Sequence, residues 1–167
     1  FMKIPRTKKI TKCRLCLNKK LIKIYSFGNL FVSNFVSKKD IYKGVKAPLD
    51  LVYCNKCKLL QLKHSAPQEI MYKKFYWYRS GITNTMKDAL KDIFLTVKKM
   101  SILNKSDTIL DIGANDGTLL KYFKKQKYIT IGCEPAKNLT KLLKRNCKYL
   151  LNNFWNSKDL KKILKIN

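Results

Sequence analysis

A chain of 167 residues with 46% apolar and 28% charged residues can build a core, and its length suits one domain, or one small module with part of a larger one. The formal net charge of +27 excludes an acidic surface and raises the question of a polyanionic partner. Yet Arg6, Arg14, Arg79 and Arg145 are the only arginines among 37 basic residues, and the forks that grip bases and phosphates are normally arginine. The lysines are spread along the whole chain, so we read them as a solvated basic surface with no specific nucleic-acid partner. No stretch approaches the roughly 20 apolar residues of a membrane span, and the start lacks the apolar core of a secretory signal. The expectation is a cytoplasmic chain without a membrane partner.

Four of the six cysteines stand in two pairs, Cys13 with Cys16 in "CRLC" and Cys54 with Cys57 in "CNKC". This spacing lets each of two turns place two thiolates on one tetrahedral zinc. Four sulfur ligands leave no open coordination position, so the metal is expected to be structural. A disulfide framework is the alternative, and a reducing compartment argues against it. The segment between the pairs is long enough to require its own hairpin or loop. His64 follows the second pair and is read as a surface or packing histidine. Cys133 and Cys147 lie in apolar surroundings and are read as buried thiols.

An aromatic run, "MYKKFYWYRSG", covers residues 71–81. Its rings are expected to pack between two modules or to line a pocket. Thr83 or Asn84 then caps a helix, because Met86, Leu90, Ile93, Phe94, Val97 and Met100 recur at three- and four-residue steps.

From Asp107 the pattern alternates. "TILDIG" reads as a buried strand, and Asp116 can cap a helix carrying Leu119, Leu120 and Phe123. "YITIGCEP" reads as a second strand, "AKNLTKLLKRN" as a helix, "KYLLN" as a third strand and "SKDLKKILK" as a last helix. Such alternation predicts an α/β protein: a zinc-binding module followed by an incomplete Rossmann-like parallel sheet. The expected divisions are residues 1–75 for the zinc module, 76–106 for the aromatic segment and linker helix, and 107–167 for the first part of the sheet domain.

The turn after the first strand reads Gly113, Ala114, Asn115, Asp116, Gly117. A dinucleotide fingerprint needs a second glycine where Asn115 stands, so that backbone can touch a pyrophosphate. A carboxylate at the mouth of the helix also repels phosphate that the helix dipole otherwise attracts. The loop therefore suits a nucleoside without phosphates, and S-adenosylmethionine meets that description. Glu134, about 20 residues after the turn, stands where an acid accepts the ribose hydroxyls. Asp111 and the Gly113 turn face the methionine end.

Taken together, "CRLC", "APLDLVYCNKCKLLQL", "YWYRSGITNTM", "DIGANDGTLL" and "GCEPAKNL" resemble the S-adenosylmethionine-dependent deoxysugar C-methyltransferases that begin with a four-cysteine zinc module. The resemblance runs from about Cys13 to the last helix. It implies a class I methyltransferase fold and methyl transfer to a carbon beside a ketone on a nucleotide-linked deoxysugar. It implies a cofactor site at Ser80, Gly81, Asp111, Gly113, Asn115, Asp116, Gly117, Glu134 and Pro135. Tyr76 and Tyr78 become candidate catalytic residues, as acid, base or hydrogen-bond partners. The family also uses an acid-histidine pair after a later strand, and a further carboxy-terminal domain, and neither has a counterpart here. The expectation is an amino-terminal portion that is inactive by itself. A zinc-ribbon nucleic-acid-binding protein is the alternative from a different class, favoured by the charge and by "KKFYWYR".

Overall fold

The structure, a computed structural model, describes residues 7–32, 37–73, 76–100 and 103–165. Lys74 and Phe75 of the aromatic run lie outside the described residues. The chain divides into two compact units, residues 1–71 and 72–167.

The first unit is built from antiparallel strands: β1 (Lys8–Lys9), β2 (Leu21–Phe31), β3 (Lys46–Cys54), β4 (Leu60–Leu62) and β5 (His64–Ser65). Strands β2, β3 and β4 form one sheet in that order, and β1 pairs with β5. The hairpin required between the cysteine pairs is β2 and β3, whose ladder is interrupted between Lys23 and Tyr25 and between Ser26 and Asn29. Side chains alternate across a strand, so Ile22, Tyr53 and Leu60 stand side by side on one face, as do Tyr25, Leu51 and Leu62. The other face carries Val52 and Gln61 in register, and both are buried. His64 is half-buried, with Nδ1 3.4 Å from Asp50 Oδ2. The Ser26 hydroxyl donates to Asp50 Oδ1 over 2.5 Å. That hydrogen bond, opposed by burial and helped by His64, holds the Asp50 carboxyl below its ordinary 3.8.

The second unit starts with α1 (Asn84–Lys99), where the Thr83 hydroxyl accepts from the Met86 amide at 3.4 Å. Phe94 is the buried residue of α1 and packs on Tyr122 and Phe123, with ring centroids 5.8 and 5.1 Å away. The apolar face predicted for this helix is narrower in fact, because Ile93 and Met100 remain exposed. The order then runs β6 (Thr108–Ile112), α2 (Thr118–Lys125), β7 (Ile129–Cys133), α3 (Thr140–Asn146), β8 (Tyr149–Leu151) and α4 (Ser157–Leu164). Strands β6, β7 and β8 are parallel neighbours in that order.

This is the α/β alternation expected of a partial Rossmann-like sheet. Its core joins Ala114, Leu120, Leu143 and Cys147, with Ile109 and Leu150 packed against them. Fully burying a leucine contributes roughly 1.5–3 kcal/mol. Strand β7, in the middle, is the most buried, whereas Leu110 and Ile112 of β6 stay exposed. Among the described residues, no strand pairs with the second edge of β6.

Two boundaries differ from the sequence reading. Strand β7 stops at Cys133, before Glu134 and Pro135, since proline has no N–H for the ladder. The helix read from Ala136 begins instead as a 3-10 turn, Lys137–Leu139, before α3 takes over at Thr140.

Candidate metal centre and cofactor loop

The two cysteine pairs close on each other through two matching turns. In one, the Cys13 amide donates to the Asn18 carbonyl and the Leu17 amide to the Cys13 carbonyl. In the other, the Cys54 amide donates to the Leu59 carbonyl and the Lys58 amide to the Cys54 carbonyl. Leu17 and Lys58 take left-handed φ values of 59° and 62°, which an L side chain tolerates at a cost of roughly 1–2 kcal/mol. These turns aim backbone amides at sulfur, those of Cys16 and Leu15 at Cys13 and those of Cys57 and Lys56 at Cys54.

All four sulfurs lie within 4.8 Å of one another. The Cys13–Cys57 and Cys16–Cys54 sulfur pairs are 3.5 Å apart, far beyond a bonded disulfide at about 2.05 Å. Zn–S bonds of about 2.3 Å in a tetrahedron put sulfurs roughly 3.8 Å apart, so the cluster fits that ion. The thiols also bear on one another's protons. The Cys16 amide, against the effect of burial, lowers Cys13, and the Cys57 amide leads the effects that bring Cys54 down to about 6. For Cys57 the Leu59 amide favours the thiolate, but burial and the three neighbouring sulfurs prevail and push it up to about 12. Four thiols in so small a space ionise together only around a cation. His64 is not among the grouped ligands.

In the second unit, the turn predicted to hold the cofactor hangs from the end of β7. The amides of Gly113 and Ala114 both donate to the Cys133 carbonyl, at 2.8 and 3.0 Å. Gly113 has φ +81°, and no atom lies within 4 Å of the place a Cβ would take, so backbone there faces open space. Glu134 is buried, and its two oxygens accept from the amides of Asn115 at 3.0 Å and Ala136 at 2.9 Å. The acid thus braces the glycine turn as well as ending the strand. Pro135 follows it half-buried and directs the chain to Ala136, while Gly117 starts α2 with φ +78°.

Asn115 and Asp116 are both buried, and the chain itself engages their side chains. Asn115 Oδ1 accepts from the Ser80 and Asp116 amides, and its Nδ2 donates to the Tyr78 carbonyl. Asp116 Oδ2 accepts from the Gly81 amide at 2.9 Å, while Oδ1 accepts from the amide and hydroxyl of Thr118. Gly117, not Asp116, therefore holds the N-cap position, and Asp116, two residues before the helix, serves the Thr118 amide from outside it and shares its carboxylate with Gly81. A Cβ on Gly81 would stand 2.6 Å from Thr118 Oγ1 and 2.7 Å from Asp116 Oδ2, so only glycine permits this approach.

A third tie was not foreseen. Asn138 Oδ1 accepts from the Tyr76 amide and its Nδ2 donates to the Tyr76 carbonyl, both at 3.0 Å. Together the three side chains fasten residues 76–81 as a strap beside the glycine turn. Within it Tyr76 packs against Tyr72 and Tyr78, with centroids 5.6 and 6.4 Å away, while Trp77 and Tyr78 are largely exposed. Burial, then the nearby Tyr72, Glu134 and Tyr78, pushes the Tyr76 hydroxyl above its ordinary 10.0.

Asp111 sits on β6 beside Gly132, and burial, then Glu134, raises its carboxyl above the ordinary 3.8. A raised carboxyl stabilises the fold while protonated, so this contribution is lost as pH climbs from about 3.8 through the raised value. Asp111→Asn should therefore raise the thermal midpoint of the second unit at pH 7. The gap from the parent should shrink as pH falls towards 3.8. An unchanged or lower midpoint at pH 7 would contradict the strain assigned to this carboxylate.

Residues 13–72 match the family model "Methyltransf_13: Putative zinc binding domain". That stretch holds all four paired cysteines, Cys13, Cys16, Cys54 and Cys57. The chain is also 26% identical over 132 residues to the C-methyltransferase NovU of Streptomyces niveus. The aligned part is 78% of this chain and 31% of that relative, so the chain spans about a third of the relative's length and resembles its amino-terminal portion. Among the described residues, no helix is long and apolar enough to cross a membrane.

Proposed function

We propose that the chain is part of an S-adenosylmethionine-dependent C-methyltransferase that acts on a nucleotide-linked keto-deoxysugar, with a structural zinc in its first unit. The observation that carries the cofactor is the use of Asp116. Its carboxylate occupies the Thr118 amide at the start of α2 and the Gly81 amide of the strap. A phosphate finds those two amides taken and meets the Asp116 carboxylate, which Arg79 Nε at 3.9 Å offsets in part, whereas a phosphate-free nucleoside can approach the open backbone at Gly113. The proposed contacts are Glu134 for the ribose, Asp111 and Gly113 for the amino-acid end, and Ser80 and Gly81 from the strap.

When bound, the cofactor supplies an electrophilic methyl on a cationic sulfonium. The protein's task is to present a carbanion in line with it and to hold the charge that develops on the neighbouring oxygen. Tyr76, kept protonated by its surroundings, suits donation to that enolate oxygen better than removal of a proton. Tyr78, more exposed, is assigned to the sugar side of the pocket. The assignment to sugars rests on the sequence resemblance, and the assignment to carbon also on the word C-methyltransferase in the relative's name. By itself the chain is expected to be inactive, so the test joins it to the later part of such a methyltransferase and incubates the product with methyl-labelled S-adenosylmethionine and a panel of nucleotide-linked keto-deoxysugars. Label in a carbon-bound methyl on the sugar is the expected product, and label on oxygen, nitrogen or nucleic acid would contradict it.

The basic surface favours a second reading, a zinc-ribbon nucleic-acid binder, because Tyr25, Phe27 and Phe31 are exposed on β2 among lysines. We expect duplex DNA and RNA to bind weakly, with affinity falling steeply as salt rises from about 50 to 200 mM. Tight, sequence-dependent binding at physiological salt would displace the methyltransferase reading.

A further inference from the structure

We propose that Gln61 is a positioning residue of the metal centre. Its amide, locked in orientation by Arg14, holds Cys13 in the sulfur cluster and leaves Cys16 and Cys57 as the vulnerable pair. The inference rests on the zinc reading of the four cysteines.

Gln61 is the middle residue of β4, and strand alternation turns it away from the face that carries Leu60 and Leu62. It is buried, at 8% exposure, in a position where an apolar side chain would be ordinary. Its Oε1 accepts from the Arg14 amide at 3.1 Å and from Arg14 Nη1 at 3.3 Å. With oxygen facing two donors, the NH2 group faces the other way, and Nε2 lies 3.2 Å from Cys13 Sγ. The Arg14 guanidinium is fixed in turn, donating to the Leu62 carbonyl and, at 2.8 Å, to the Ser65 hydroxyl. A cation thus polarises an amide whose N–H points at a ligand sulfur. Such outer donors orient a ligand and draw charge from it.

The cluster is asymmetric in this respect. Asn18 Nδ2 reaches Cys54 Sγ at the longer distance of 3.6 Å. Among the described residues, no side-chain amide reaches Cys16 or Cys57, and these two are also the less buried pair. Buried sulfurs with a side-chain donor on one side and half-exposed sulfurs without one on the other set the order in which the zinc-loaded cluster meets an electrophile or a chelator.

The test uses the full chain loaded with zinc. In the parent protein, limited N-ethylmaleimide treatment followed by peptide mass spectrometry should label Cys16 and Cys57 before Cys13 and Cys54. Gln61→Leu and the near-isosteric Gln61→Glu should release zinc to a chromogenic chelator about tenfold or more faster, the lower end of what loss of an outer-shell partner costs. Both should bring Cys13 labelling forward. Circular dichroism in excess zinc separates this from unfolding, and the parent's labelling order needs no variant. Early labelling of Cys13 in the parent, or Gln61→Glu releasing zinc at the parent rate, overturns the proposal. A parent that binds no zinc overturns the zinc reading itself, whereas one zinc per chain with unchanged release overturns only the role of Gln61.

Discussion

Replacing Cys13, Cys16, Cys54 or Cys57 with serine is expected to abolish metal binding and unfold the first unit. The parent should carry about one zinc per chain by elemental analysis. The size of the effect follows from how little else holds these residues together. Strands β1, β4 and β5 have two or three residues each, Ile22, Tyr25, Leu60 and Leu62 stay exposed, and apart from the ligand Cys54 only Ala47 and Val52 are buried in β3. Structural zinc in small domains contributes roughly 10–16 kcal/mol of folding free energy at pH 7, far more than this core. Because zinc binds thiolates, the same loss should occur in the parent on acidification, as protons compete for Cys54 and its neighbours. Amide exchange along β2 and β3 reports the outcome directly. A serine variant that keeps those amides protected without metal would contradict the assignment.

Glu134→Ala is expected to have the largest effect in the second unit, on both stability and cofactor binding. Its carboxylate accepts two buried backbone amides, those of Asn115 and Ala136. Removing an ionised acceptor costs roughly 1.5–3 kcal/mol per hydrogen bond, so we expect unfolding stability to fall by about 3 kcal/mol. Loss of the proposed ribose contact should weaken S-adenosylmethionine binding by about 1–3 kcal/mol. Glu134→Gln separates the two effects, since it keeps an acceptor for one amide and removes the charge. Glutamine should recover part of the stability in urea titrations but little of the affinity. Equal stability of the parent and Glu134→Ala would show that the carboxylate does not brace the turn.

Much of this arrangement could be read from the sequence because it is governed by local rules. Two-residue gaps between cysteines fix the ligand turns, and the period of the apolar residues in 108–151 distinguishes strands from amphipathic helices, although β6, read as buried, leaves Leu110 and Ile112 exposed. Thr83 was one of two equivalent caps, and the structure selects it. What stayed hidden depends on partners distant in sequence. Asn138 ties Tyr76, 62 residues away, and nothing in "AKNL" marks that asparagine as a clamp rather than a helix-start residue. Asn115 and Asp116 were legible as a break in the phosphate fingerprint, but not as ties to Tyr78, Ser80 and Gly81. Gln61 did leave a signal, since a polar residue between Leu60 and Leu62 falls on the inward side of a strand. The apolar stripe of α1 was overestimated because periodicity counts candidates without showing which of them meet a neighbour. Only Phe94 is wedged between Tyr122 and Phe123.

The most direct test of the central claim is equilibrium binding of S-adenosylmethionine to the zinc-loaded chain by titration calorimetry, with NAD titrated in parallel. The account predicts saturable binding at one site, weakened by Glu134→Ala, and no comparable affinity for NAD, because Asp116 occupies the helix start that a pyrophosphate needs. Tighter binding of NAD than of S-adenosylmethionine, or affinity for either that Glu134→Ala leaves unchanged, would contradict it.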